Sequence, residues 1–165
     1  MVAGAATGYG GAMRPLIDLG YRLRRRMLAL LRWRTRGVKV MAFDPAGRLL
    51  LVRHRYGRSD WWMLPGGGIG RRESPADAAV RELAEETGCT LDAPTAIGRF
   101  EARQEGRRDT VFLFRGTTRD APVADGVELV EARLFALDDL PAAVSPATAR
   151  RIAEYRGTAA ADGRW

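Results

Sequence analysis

The residues of this chain with the clearest chemical potential lie within Pro65–Cys89, PGGGIGRRESPADAAVRELAEETGC. Glu82, Glu85 and Glu86 stand three and four residues apart, with Glu73 upstream and Arg81 beside them. On a helix, like charges at those separations cost roughly 0.2–0.5 kcal/mol per pair, and Arg81 offers the local countercharge. A divalent cation turns that repulsion into attraction. Clustered carboxylate oxygens suit hard ions such as Mg²⁺ or Mn²⁺, whereas zinc favours His or Cys. A solvated acidic helix face is the competing reading of the same residues.

The surrounding residues predict the element that carries these acids. Ser74 is a good N-cap, Pro75 suits the first helical position, and Asp77 sits where a capping-box acid reaches back. Gly88 supplies a left-handed stop. At ~100° per residue, Ala76, Val80, Leu83 and Thr87 are expected on one face, with Glu82, Glu85 and Glu86 nearly opposite.

The spacing is selective. Gly67, five residues, Glu73, seven residues, then Arg81-Glu82-Leu83-Ala84-Glu85-Glu86-Thr87-Gly88-Cys89 resembles a complete Nudix box, G-x5-E-x7-R-E-U-x-E-E-x-G-U, where U is bulky and apolar. Seven fixed identities at ordinary residue usage make a chance match rarer than about one in a million. The looser resemblance runs from about Val38 to Tyr155. It implies an α/β fold: an α/β/α sandwich with a mixed β-sheet and the box loop and helix packed on it.

The same resemblance implies an activity: hydrolysis of a pyrophosphate bond in a nucleoside diphosphate linked to another moiety X, with Mg²⁺ as cofactor and Mn²⁺ as a substitute. ADP-ribose-like compounds, nucleotide sugars and nucleoside triphosphates all remain open as substrates. Glu85 and Glu86 match the usual metal ligands. Glu82 matches a residue that coordinates metal or acts as base, and the Gly66 carbonyl matches a further ligand. Gly67, Glu73, Arg81 and Gly88 are expected to support the box, with Arg81 as a structural ion-pair partner. Some members take another acid from outside the box; Glu131 and Glu128 are the candidates here, Glu131 preferred.

This chain departs from the pattern in one place. Many members read G-x-E-x-G-E before the helix, where this sequence has Gly70 and Arg72 at the Glu and Gly positions. One auxiliary carboxylate is missing, and Arg72 enters the loop as a candidate phosphate contact. Arg53 and Arg55, at the end of a predicted strand leading to the box, are further candidates for phosphate, and Trp62 for stacking a base. A nucleotide-sensing module that binds without turnover is the alternative reading, although an intact glutamate set favours catalysis.

Composition bounds the rest. A chain of 165 residues with 46% hydrophobic content suffices for a single core. The single cysteine, Cys89, excludes an internal disulfide framework, which makes a reducing, cytoplasmic setting the default. The net charge of +7 is local: residues 14–36 hold eight arginines and one acid, Asp18, and the remaining charges cancel. Specific nucleic-acid binding is therefore not expected of the domain.

Along the chain, residues 1–13 read as a disordered Gly-rich start and 14–36 as a basic amphipathic helix. That helix could dock on the domain, on the mate of a homodimer, on an anionic membrane surface or on an acidic partner. Its apolar stretch Met27–Leu31 is short and lacks a following cleavage site, so no cleaved leader is expected. Residues 37–157 form the expected catalytic domain and 158–165 a tail. Within the domain, Val38–Asp44 and Arg48–Arg55 predict a β-hairpin around Pro45-Ala46-Gly47. Cys89–Glu101, Thr110–Gly116 and Val127–Leu137 predict further strands, and Ser145–Arg156 a helix. The irregular alternation predicts helices on both faces of a mixed sheet.

Overall fold

The computed structural model describes residues 35–55, 60–104 and 107–165, so the expected Gly-rich start and nearly all of the expected basic helix 14–36 lie outside the described residues, while Thr35 and Arg36 open a strand instead. The elements are β1 (Thr35–Phe43), β2 (Leu49–His54), β3 (Trp62–Met63), α1 (Pro75–Thr87), β4 (Asp92–Gln104), β5 (Arg107–Thr117), β6 (Leu129–Phe135) and α2 (Pro146–Tyr155). They form one six-stranded sheet in the order β3-β2-β1-β5-β4, with β6 on the other edge of β2. The β1–β5 pair is parallel and the others antiparallel, giving a mixed sheet.

Alternation along the strands divides the core. Val38, Val40, Ala42 and Leu50 pack with Ala78, Ala79 and Leu83 of α1, while Met41, Phe43, Leu49 and Leu51 pack with Trp62, Leu64 and Ile152 of α2. The period of two residues thus gives each helix its own face of the sheet. The hairpin between β1 and β2 forms where expected. Asp44 accepts from the Ala46 and Arg48 amides at 3.0 and 2.8 Å, and Gly47 takes the positive φ of 76° that the turn requires.

The feature that builds the site is a parting of strands. β1 and β2 pair at Phe43 and Leu49 and then diverge. The segment 62–69 fills the gap. Trp62 and Met63 pair with Arg53 and Val52 of β2, while Val40 and Val38 of β1 donate to the Pro65 and Gly67 carbonyls at 3.0 and 2.9 Å. Backbone amides of a splayed strand need acceptors, and the glycine loop supplies them. Gly66 has φ 128°, and a Cβ there would strike the Val38 carbonyl, so no other residue fits.

Some expectations need correcting. β4 starts later and runs further than predicted, with irregularities between Asp92 and Thr95 and between Ala96 and Gly98. β6 is shorter because residues 125–128 form a turn closed by the Asp125 carboxylate. The tail is docked: the Glu101 amide donates to the Gly163 carbonyl and the Trp165 amide to the Glu101 carbonyl, at 3.0 and 3.1 Å. Trp165 helps to cover Arg151, a fully buried cation lying 4.0 Å from the Phe100 ring centroid. Among the described residues, no helix is long and apolar enough to cross a membrane.

Candidate active site

The capped helix α1 forms as its sequence specifies. The Ser74 side chain accepts from the Asp77 amide, Pro75 opens the helix, and Gly88 closes it at φ 68° with its amide donating to the Ala84 carbonyl. The expected division of faces does not hold. Val80 and Glu86 lie ~60° to either side of Leu83 on the helical wheel, so either could flank the buried stripe. The sheet and the box loop select the glutamate side: Val80 is 36% exposed and Glu86 is 7% exposed. Glu82 is partly buried and Glu85 is open to solvent.

Burial of Glu86 has a structural cause. Its carboxylate accepts from the Gly66 amide at 2.8 Å, tying the helix to the glycine loop. Burial raises its pKa above the usual carboxylate range; Lys39 and the Gly66 amide oppose that shift, and the charges of Glu82 and Glu128 add to it. The Glu82 carboxylate rests against the α-carbon of Gly67, where an added Cβ would overlap it. Gly67 is therefore a cradle for that carboxylate.

Lys39 is the residue that the motif did not reveal. From the middle of β1 its ammonium donates to the Leu64 carbonyl at 2.9 Å and the Gly66 carbonyl at 2.8 Å. Burial lowers its pKa, while Glu86 and Glu82 hold it up. It is the countercharge of the buried side of the box. Nearby, burial and the charge of Lys39 depress His54 to about 4 against a weaker opposing pull from Asp125, which leaves the imidazole neutral.

Arg81 organises the open side. Its guanidinium reaches Glu73 at 2.7 and 2.9 Å, Glu82 at 2.8 Å, Glu85 at 2.9 Å and the Gly68 carbonyl at 3.0 Å. Hydrogen bonds from Arg81, and then one from the Gly70 amide, depress Glu73 to about 2. Among the described residues, no three His, Cys, Asp or Glu side chains converge tightly enough to hold an ion as they stand.

The other predicted site residues take different places. Glu131 lies opposite Arg53 in the β2–β6 ladder and pairs with it at 3.0 Å, so each occupies the other. Trp62 is buried, edge-on to Phe135 at 4.8 Å with Arg53 over its ring, which makes it a core residue with no face to offer a base. Arg55 donates to the Gly126 carbonyl at 2.8 Å and so holds the turn before β6. Arg72 is exposed in the turn leading to α1. The structure thus brings Gly66, Gly67, Glu73, Arg81, Glu82, Glu85 and Glu86 together where α1 meets the glycine loop, and leaves Trp62 out of that cluster.

A capped helix carrying three carboxylates, laid over a glycine loop in a parted mixed sheet, is the arrangement that the resemblance to the Nudix box implies. The comparisons agree: the NUDIX domain model matches residues 33–155, and the chain belongs to the Nudix family. A Bacillus subtilis (strain 168) relative bearing the provisional name 8-oxo-dGTP diphosphatase is 30% identical over 76% of this chain and 82% of its own. The MutT NUDIX hydrolase of Burkholderia pseudomallei superposes with TM-score 0.65 at 26% identity, covering 73% of this chain and 96% of that one. The NUDIX domain of Shewanella oneidensis NrtR, solved with ADP ribose, shares the fold at TM-score 0.66 and 18% identity over 76% and 88% of the two chains. The protein is a hydrolase acting on phosphoric anhydrides.

Proposed function

We propose that this protein hydrolyses the pyrophosphate bond of a nucleoside diphosphate derivative, nucleotide sugar or nucleoside triphosphate with Mg²⁺ as its cation. The observation that supports the reading most directly is the packing of Glu82 and Glu86 against the Gly66-Gly67 turn, with Glu85 on the same helix. The donor set is all oxygen, and Gly67 leaves room for a carboxylate at the backbone, so the residues fit a hard divalent cation. Glu82, Glu85 and Glu86 would hold it, whereas the Gly66 carbonyl, the further ligand that the resemblance implies, accepts from Lys39 in this structure. Bound there, such an ion neutralises charge on the phosphate oxygens and acidifies water.

The chain's own residues supply the rest. Glu73, Arg81, Gly67 and Gly88 fix the loop and the helix ends that carry the carboxylates. Lys39 keeps positive charge beside Glu86 and Glu82. In the hydrolysis itself a water oxygen bonds to phosphorus, the bridging P–O bond breaks with its electron pair on the departing phosphate, and the water proton passes to a carboxylate. Glu131 is engaged by Arg53, which leaves Glu128 as the other candidate for that acceptor outside the box.

The test is release of phosphorylated products from a panel of these substrates, with Mg²⁺ and with a chelator. Turnover of at least one compound that chelation abolishes is expected. Binding without turnover across the panel would refute the reading.

A further inference from the structure

We propose that Lys39 competes with a divalent cation for the Gly66 carbonyl, and so limits how tightly the box glutamates bind that ion. The inference rests on the function proposed above. Composition singles the residue out: of 27 lysine and arginine residues in the chain, Lys39 is the single lysine. A lysine offers a compact point charge on a flexible stem, where an arginine offers a planar fork that locks onto one partner. The strand position facing the glycine loop thus carries the cation that yields most readily.

The carbonyls of that loop divide by position. Those of Pro65 and Gly67 accept from the Val40 and Val38 amides at 3.0 and 2.9 Å. Those of Leu64 and Gly66 accept from the Lys39 ammonium at 2.9 and 2.8 Å. Gly66 is where the two cations meet. Its amide donates to the Glu86 carboxylate at 2.8 Å, so this residue stands between that acid and the ammonium. The loop lies close against β1 here: a Cβ on Gly66 would strike the Val38 carbonyl and lie 3.0 Å from the Lys39 α-carbon. If an ion takes the Gly66 carbonyl, the Leu64 carbonyl still retains Lys39 nearby, and the two positive charges repel. Arg81 plays no such part. Two bonds to Glu73 and one to the Gly68 carbonyl anchor it, whatever Glu82 and Glu85 bind.

Removing the charge should therefore tighten ion binding. Lys39→Met removes both the charge and the hydrogen bonds, whereas Lys39→Gln removes the charge and keeps a neutral donor. Each should bind Mn²⁺ about 10-fold or more tightly than the wild type. The sign of the change is diagnostic. A lysine that only braced the loop would, when lost, leave a looser box with weaker binding. A lysine that only met substrate phosphate would leave binding without nucleotide unchanged.

The measurement is Mn²⁺ binding without nucleotide at one pH, followed by electron paramagnetic resonance, for the wild type and both variants. Thermal unfolding confirms that each is folded. Equal or weaker binding by the variants, or no binding by any of the three proteins, would overturn the competition; if the variants differ, Lys39→Gln decides. The proposed function falls separately, on absence of turnover across its substrate panel. Should neither variant fold, the wild type decides alone. Labelling lysine with ¹⁵N gives one side-chain ammonium signal, and saturating Mg²⁺ should speed exchange of its protons with water as the Gly66 carbonyl is lost. Unchanged exchange would overturn the competition.

Discussion

Replacing Lys39 by Met is the most informative single change to the apo protein. It keeps the length of the stem but removes the ammonium from the Leu64 and Gly66 carbonyls and from beside Glu86. Breaking a buried charge pair costs about 3–5 kcal/mol. Two features reduce that here. The Lys39 ammonium is held by two backbone carbonyls, and burial already disfavours its charged form. A net loss of about 2–3 kcal/mol follows, which for a domain of this size lowers Tm by roughly 4–12 °C.

The pH dependence has a definite sign. Glu86 has a folded-state pKa above its ordinary value, and losing Lys39 raises it further. Protonation then favours folding, so the deficit should be largest at neutral pH and shrink as pH falls towards the unfolded-state value. Mn²⁺ should stabilise the variant more than the wild type, because it restores the missing positive charge. Thermal unfolding by circular dichroism in chelator and in Mn²⁺, at neutral and mildly acidic pH, reads all of this. An unchanged Tm in chelator would show that Lys39 does not balance the buried glutamate.

Two glycines of the box should respond unequally to alanine. Gly66→Ala meets the Val38 carbonyl and should cost more than about 3 kcal/mol, whereas Gly88→Ala meets nothing within 4 Å and should cost only the ~1–2 kcal/mol of its left-handed conformation; urea unfolding compares them. His54 is the single histidine, so its imidazole resonance is unambiguous, and it should titrate near pH 4. Because its folded-state pKa is depressed, stability should fall as pH drops from about 6.5 towards 4. A midpoint at the ordinary value would refute the burial assigned to it.

Local rules carried the reading of the sequence where the determinants are local. Ser74, Pro75 and Gly88 mark the helix because capping involves residues within one turn, and the Asp44–Arg48 turn is equally short-range. The alternating strands on either side of the sheet were legible for the same reason. Rotation of α1 about its axis was not, because Val80 and Glu86 flank Leu83 equally and only packing against the loop 65–69 chooses between them. Lys39 sits in an ordinary strand pattern and gains its role from carbonyls 25 and 27 residues away. The Arg53–Glu131 pair spans 78 residues and depends on the β2–β6 register, which no spacing in the sequence reveals. The Asp125-Gly126 dipeptide is a turn signal that could have shortened the predicted last strand.

Direct observation of cation binding bears hardest on the reading of the box. In a titration of Mn²⁺ followed by electron paramagnetic resonance, the wild-type protein with a non-hydrolysable nucleoside diphosphate analogue should deplete the free-ion signal. The Glu82→Gln, Glu85→Gln, Glu86→Gln triple variant, folded, should leave it undiminished. Equal uptake by both proteins, or none by the wild type, would contradict the assignment of these carboxylates to a metal-assisted hydrolase site.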